Sequence, residues 1–153
     1  MTLIIANNKY IFADRAVRSG IYIEPDVCKI KKYKDGHFVA TGGIVEGSYV
    51  FTKFKKFVET KKTYDELLLF FWDMKKEIPE DDRVDIVFSY KKKAYVVYWW
   101  GLEEIGKEYI TLGSAQKAAR TLIQSGINTD CVFRAIAQTQ TDVSECFDSM
   151  NVY

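Results

Sequence analysis

The first seventeen residues contain two apolar runs on either side of a short polar turn. The segment Ala6-Asn7-Asn8-Lys9-Tyr10 forms that turn, so the pattern predicts an antiparallel β-hairpin centred on Asn8. Thr2 and Asp14 are equally far from this centre, and opposite residues of an antiparallel pair lie close together. The hairpin therefore places Asp14 opposite or nearly opposite Thr2, so that an acid lies beside that residue. The two predicted strands are Thr2–Ala6 and Tyr10–Val17.

Thr2 becomes a chain-terminal residue once the initiator Met1 is removed. A threonine hydroxyl can attack a carbonyl, and its own α-amine, with a reference pKa near ~8, can accept the proton without a histidine. If Met1 stays attached, the nitrogen of Thr2 is an amide with no basic lone pair, and this general base does not exist. The state of Met1 therefore decides whether Thr2 can act, and the sequence leaves both states open.

Lys29 is a third candidate for the same site. It lies in a predicted short strand, Cys28–Tyr33, whose alternation directs Lys29 and Lys31 to one face and Ile30 to the other. A positive charge near an amine and a hydroxyl lowers the pKa of both groups. Lys29 would therefore favour the deprotonated, reactive form of Thr2.

Four segments occur in a characteristic order: Thr2-Leu-Ile-Ile, Ala13-Asp14-Arg15-Ala16, Cys28-Lys29-Ile30 and Phe38-Val39-Ala40-Thr41-Gly42-Gly43. Their order and approximate spacing resemble the N-terminal-nucleophile hydrolases, specifically proteasome β subunits and the bacterial peptidase HslV. The resemblance implies that Thr2, Asp14 and Lys29 form the catalytic group. It also implies that a backbone amide at Gly42 or Gly43 supplies the oxyanion hole, although this chain has Thr41 where the family usually shows a glycine.

Two later segments extend the resemblance. The stretch 109–114 before a helix-like run is similar to the family's Gly-Ser segment, which implies that Ser114 supports the threonine. Near the end of the chain, the segments 141–144 and 148–149 each offer an Asp and a Ser such as proteasome subunits use near the site. Spacing does not choose between the two segments, and Asp142 is taken as the candidate.

The predicted elements follow the family's order of four strands, two helices, three strands, two helices and a last strand. The second helix begins with a capping-box pattern from Thr63 to Glu66. This order predicts an α+β fold, a four-layer α-β-β-α sandwich of two antiparallel sheets, in a single domain spanning residues 1–153. The later elements are predicted as helices Val45–Thr60, Thr63–Lys76, Ser114–Gln124 and Thr129–Gln138 and strands Val84–Tyr90, Ala94–Trp100, Glu108–Leu112 and Glu145–Phe147.

Composition excludes several function classes. The 22 basic and 21 acidic residues give a net charge of +1, which does not indicate nucleic-acid binding. No segment approaches the ~20 apolar residues of a membrane span, so we expect no membrane association and a cytoplasmic location. His37 is the only histidine and is best explained as a strand-start residue after the Asp35-Gly36 turn, which does not favour a Ser-His or Cys-His triad, and the three cysteines lack metal-ligand spacing. We therefore expect neither a metal nor a cofactor.

Two functions of different classes remain open. The first is an N-terminal-threonine peptidase that acts on a peptide or protein through an acyl-enzyme on Thr2. The resemblance implies assembly into a homo-oligomeric ring, with an ATPase as a possible partner. The second is a catalytically idle binding or interaction protein, such as a virus-encoded relative, that sequesters a ligand or blocks a partner. The presence of Thr2, Asp14, Lys29 and Ser114 favours the first function, and a retained Met1 would favour the second.

Overall fold

The computed structural model describes residues 2–19, 22–24, 27–98, 101–140 and 143–152, with the backbone alone described at 17–19 and 22–24. The strands are β1 (Leu3–Ala6), β2 (Tyr10–Asp14), β3 (Val17–Ser19), β4 (Tyr22–Glu24), β5 (Lys31–Tyr33), β6 (Gly36–Ala40), β7 (Ile86–Tyr90), β8 (Lys93–Tyr98), β9 (Gly101–Glu104), β10 (Ile110–Gly113) and β11 (Phe147–Asn151). The helices are α1 (Ile44–Phe57), α2 (Tyr64–Glu77), α3 (Gln116–Gln124) and α4 (Thr129–Ala137), and a short 3₁₀ turn spans Glu80–Asp82.

Two antiparallel sheets form the centre of the molecule. One has four strands in the order β10-β1-β2-β11, and the other has five in the order β5-β6-β7-β8-β9. Strands β3 and β4 form a separate hairpin. Strand β1 is buried along its whole length, because it lies inside its sheet and that sheet is covered on both faces. This position explains why its sequence is continuously apolar rather than alternating.

Three apolar clusters define the layers. Ile4 of β1 packs with Val39 and Val87 in a cluster between the two sheets. Phe54 of α1 belongs to a second cluster, in which α1 and α2 cover the outer face of the five-stranded sheet. Leu3 belongs to a third, in which α3 and α4 cover the four-stranded sheet. The predicted α-β-β-α sandwich is confirmed.

The capping box at the start of α2 is also confirmed. The Thr63 hydroxyl accepts a hydrogen bond from the Glu66 N–H, and the Glu66 carboxylate accepts one from the Thr63 N–H. Two backbone donors that the first turn leaves unpaired are thereby satisfied. The predicted start of this helix lies within one residue of the observed start.

The register of the first hairpin differs by one residue from the prediction. The Asn7 N–H donates to the Tyr10 carbonyl at 3.0 Å, and the Asn7 side chain accepts from backbone N–H groups of the same turn. This side chain fixes a four-residue turn whose centre lies one half-step beyond Asn8. The register, extended to the end of β1, consequently places Leu3 rather than Thr2 level with Asp14.

Other strand predictions were wrong in extent. Strand β2 ends at Asp14 rather than Val17, because the Asp14 carboxylate accepts the N–H of Ala16 and turns the backbone. Strand β9 and the β3–β4 hairpin were not predicted, and β11 starts at Phe147 instead of ending there. Both β9 and β11 lie at sheet edges and contain several polar residues, so their sequences lack the apolar alternation of a half-buried strand.

Candidate functional site

Asp14 lies at the centre of the candidate site, at the end of β2, and its side chain is fully buried. Its Oδ1 accepts hydrogen bonds from the Leu3 N–H at 2.8 Å and from Lys29 Nζ at 3.0 Å. Its Oδ2 accepts from the N–H of Ala16 at 3.1 Å and of Ser144 at 3.3 Å. A buried carboxylate needs such donors to offset its lost hydration. The four donors fix the carboxylate and connect four segments of the chain.

Lys29 forms a largely buried ion pair with Asp14. Only 9% of the lysine side chain is exposed. Lys29 lies just before β5, because that strand begins at Lys31 and not at Cys28 as predicted. The predicted alternation still holds, because Lys29 and Lys31 line one cavity while Ile30 packs between the sheets. Removing one partner of a buried pair leaves an uncompensated charge. The Asp14 carboxylate therefore holds the Lys29 ammonium in place at the cavity wall, and the pair as a whole carries no net charge.

Thr2 is buried to 5% exposure and is held through its backbone. Its carbonyl accepts the Ser114 N–H at 3.0 Å, and the next amide along the chain is the one that donates to Asp14. Gly113 makes this approach possible, since a Cβ at that position would overlap the Thr2 carbonyl oxygen. Gly113 also has φ +82°, which side-chain-bearing residues rarely adopt. Ser114 and Thr2 are therefore joined by a backbone hydrogen bond, and the supporting role of Ser114 stays a prediction.

One cavity of about 510 Å³ borders Thr2, Lys29, Gly42 and Gly43. Gly42 has φ +82° and turns the chain from β6 into α1, and Gly43 is the N-terminal capping residue of that helix. Backbone N–H groups at a helix N-terminus favour negative charge. The volume lies in the range of sites that hold a small ligand or a peptide side chain.

No sequence profile of a known protein family matches the chain, and no curated protein is detectably similar to it in sequence. Solved structures do match over nearly the whole chain. BPH from Thiobacillus denitrificans matches with a TM-score of 0.73 and 15% identity, covering 100% of this chain and 99% of that one. BPH has also been solved in complex with epoxomicin.

HslV from Trypanosoma brucei matches with a TM-score of 0.68 and 12% identity, covering 98% of this chain and 97% of that one. The Gly-1 mutant of Anbu from Hyphomicrobium sp. strain MC1 matches with a TM-score of 0.72 and 13% identity, covering 99% of this chain and 81% of that one. The chain has the proteasome- and HslV-like fold of the N-terminal-nucleophile hydrolases. At these identities the likeness is one of fold alone.

Within this N-terminal-nucleophile fold, the structure brings together most of the residues that the sequence singled out. Thr2, Asp14, Lys29 and Ser114 are connected by the hydrogen bonds described above, and Gly42 and Gly43 line the same cavity as Thr2. Asp142 lies outside the described residues, as does Met1. The catalytic roles of these residues stay predictions.

Two residues of the site were not given a role from the sequence. The backbone N–H of Ser144 binds Asp14, and it belongs to the 141–144 segment whose function spacing alone did not identify. Thr41 exchanges hydrogen bonds with Asp85: its N–H donates to the Asp85 carbonyl at 2.8 Å, and its hydroxyl accepts the Asp85 N–H at 3.0 Å. Thr41 thereby attaches the Gly42 turn to the start of β7. The sequence signal for this role was Thr41 itself, because it stands where a glycine was expected.

Cys28 adds a thiol to the cavity wall, beside the hydroxyl-bearing residues Thr2 and Ser48. Burial raises the pKa of its thiol, and hydrogen bonding to the Asp148 carboxylate raises it further. The thiolate is the reactive form of cysteine, so its fraction at neutral pH is small.

The described residues contain neither a candidate metal site nor a candidate membrane-spanning helix. Within the described ranges, no three His, Cys, Asp or Glu side chains are grouped so that they could hold a metal ion. The helices in those ranges are all too short or too polar to cross a bilayer.

Proposed function

We propose that this chain is an N-terminal-threonine hydrolase that cleaves peptide bonds through an acyl-enzyme on Thr2 after removal of Met1. The observation that carries the proposal is the shared cavity, where Thr2 lies at the same wall as a lysine charge that is fixed by a buried carboxylate. This arrangement supplies a nucleophile and a fixed positive charge without a histidine.

In the first half of the reaction, the Thr2 hydroxyl oxygen attacks the carbonyl carbon and its proton passes to the free α-amine of the same residue. The charge of Lys29 lowers the pKa of that amine, so that it is neutral and basic before the attack. The oxyanion that develops accepts hydrogen bonds from backbone N–H groups of the turn at Gly42. The intermediate then collapses to an ester on Thr2, and the leaving amine takes the proton from the ammonium group.

In the second half, water attacks the ester carbonyl and gives its proton to the same α-amine. Collapse of this second intermediate breaks the ester bond, returns the proton to the Thr2 oxygen and releases the carboxylic acid. Asp14 keeps Lys29 charged and in place throughout, because its Oδ1 lies 3.0 Å from the lysine Nζ. Both halves use one base and one oxyanion site.

The assembly and location that we propose follow from likeness of fold. Copies of the chain would form a ring whose sites face an enclosed chamber, with an ATPase as a candidate partner and the cytoplasm as the compartment. Size-exclusion chromatography coupled to light scattering tests the ring, since a monomer of 17.7 kDa is well separated from any such assembly.

Two measurements on one sample test the chemistry. Intact mass shows whether Met1 is present, and incubation with epoxomicin shows whether Thr2 reacts. Epoxomicin is the ligand of the BPH complex, and its epoxyketone offers one electrophilic carbon to a hydroxyl and another to an adjacent amine. We expect a mass without methionine and a stoichiometric adduct on Thr2. Thr2→Ala should abolish the adduct, while Cys28→Ala, on the same cavity wall, should keep it.

A second candidate function is a binding protein with an idle site, and the encoded Met1 before Thr2 is the observation that favours it. With Met1 attached, the cavity would still hold a ligand, but the proposed base would be absent. A full-length mass and no adduct would support this second function and contradict the first.

A further inference from the structure

Lys31 adds a second ammonium group to the cavity that borders Thr2. Its Nζ donates to the Ser48 hydroxyl at 2.8 Å and lies 5.3 Å from the centre of the Phe51 ring. Both partners are neutral. Lys29, by contrast, has the Asp14 carboxylate at 3.0 Å. Within the described part of the chain, the two lysines of this wall therefore differ in that Lys29 is paired with a charge and Lys31 with neutral groups.

Among the described residues, no carboxylate forms an ion pair with Lys31. The described residues that line the cavity include Lys29 and Lys31 but neither Asp nor Glu. Glu46, at the start of α1, directs its carboxylate towards Gly43 and forms no ion pair with Lys31 in the described part of the chain. Much of the remaining wall is apolar, and low-polarity surroundings strengthen the attraction between opposite charges.

We infer that Lys31 makes this cavity selective for substrates with an acidic side chain, Asp or Glu, on the residue whose carbonyl Thr2 attacks. The substrate carboxylate would accept a charge-assisted hydrogen bond from the Lys31 Nζ in place of, or together with, the Ser48 hydroxyl. The methylene groups of the acidic side chain would contact the apolar wall. We assign this cavity to the side chain of the residue whose carbonyl Thr2 attacks, because Thr2 borders the cavity. That assignment rests on the proposed function.

A pair of peptides that differ by one charge tests the inference. The probes are acetyl-Ala-Ala-Glu-amide and acetyl-Ala-Ala-Gln-amide, whose last side chains have the same length and shape. Binding to the assembled protein is measured by calorimetry at neutral pH and low salt. We expect the glutamate peptide to bind on the order of tenfold more tightly, the typical gain from one charge-assisted hydrogen bond.

Variants at neighbouring positions of β5 identify the group responsible. Lys31→Met keeps the aliphatic stem beside Phe51 and removes the charge, so we expect the preference to vanish while the glutamine peptide binds as before. Lys31→Glu should reverse the charge of the site, so that a peptide with lysine at the last position binds more tightly than the glutamate peptide. Lys32→Met is the matched control, because Lys32 is exposed on the other face of the strand and its removal should leave the preference intact.

The outcomes separate this inference from the peptidase proposal. Equal binding of the two peptides, or a preference that survives in Lys31→Met, would overturn the role of Lys31. Epoxomicin labelling of the same samples reports on the chemistry independently. Labelling without a preference keeps the peptidase and removes the selectivity; a Lys31-dependent preference without labelling keeps Lys31 as the acid-binding group and removes the peptidase.

Discussion

Buried charged groups are hydrogen-bonded very differently at two cavities of the molecule. One is the cavity beside Thr2, and the other is a smaller cavity of about 80 Å³ near the end of α2. At the first, each oxygen of Asp14 accepts two hydrogen bonds and one of the donors is a lysine. At the second, Lys75 Nζ is shielded from solvent and has no hydrogen-bond partner among the described residues. Burial and the nearby Arg83 charge both lower the pKa of Lys75.

The difference shows that the fold holds the Asp14 cluster in place more firmly than the cluster around Lys75. A fully bonded network in a low-dielectric interior is rigid, whereas a partly bonded one costs stability. Asp85 illustrates the second case, because burial raises the pKa of its carboxyl group while the charge of Lys75 only partly opposes that rise. We therefore expect substitutions at the Asp14 network to be costly and substitutions at Lys75 to be tolerated.

Asp14→Ala should have the largest effect. It leaves the Lys29 ammonium buried without its counter-charge and removes the acceptor of three backbone N–H groups, so we expect a loss of about 3–5 kcal/mol in the free energy of unfolding. Glu77→Ala is the matched control, since the Glu77–Lys53 pair is roughly half exposed and screened by solvent, so its loss should cost far less stability. Urea unfolding measures both. Similar losses for the two variants would contradict the comparison.

Gly113→Ala should be next, because the added methyl group would overlap the Thr2 carbonyl oxygen and the residue would keep φ +82°. We expect a loss of about 2–4 kcal/mol and no epoxomicin adduct. Gly126→Ala separates the two causes. Gly126 has φ +85° but open space around its Cβ, so its substitution should cost only the backbone term of ~1–2 kcal/mol. Equal losses of stability in the two variants would show that small shifts of the backbone relieve the overlap at Gly113.

The layers, and the nearness of several candidate site residues to one another, could be predicted from the sequence because both depend on local patterns. Apolar periodicity predicts α1 and α2, and the turn before β2 predicts the hairpin that brings Asp14 near Thr2. Sequence reasoning missed the register by one residue because the side chain of Asn7 fixes the turn, which is a hydrogen-bonding choice that composition does not encode. The N–H of Ser144 was missed for a related reason. It reaches Asp14 across 130 positions of the chain, and its contribution is a backbone group that any residue type provides.

Thr41→Val should show how the two regions are coupled. The change keeps the shape of the side chain but removes the hydroxyl that accepts the Asp85 N–H, so we expect a loss of about 1–2 kcal/mol in stability. If Thr41 also positions the turn at Gly42, epoxomicin should label the folded variant more slowly. Thr52→Val is the matched control, because its exposed hydroxyl bonds only the preceding turn of α1. Unchanged labelling in Thr41→Val would show that the turn holds its geometry without this bond.

Lys75→Met should have the smallest effect and the opposite sign, with a gain of about 0–1 kcal/mol at pH 7, because the variant removes a shielded ammonium that lacks a hydrogen-bond partner among the described residues. The pH dependence identifies the cause. The folded pKa of Lys75 is lower than its ordinary value of 10.5, so at pH values between the two the unfolded chain binds more protons and the wild type gains stability as pH rises. The variant lacks this group. The stability gap between variant and wild type should therefore narrow as urea unfolding is repeated from pH 7 towards pH 10, and a constant gap would assign the effect to packing against Trp72 instead of charge.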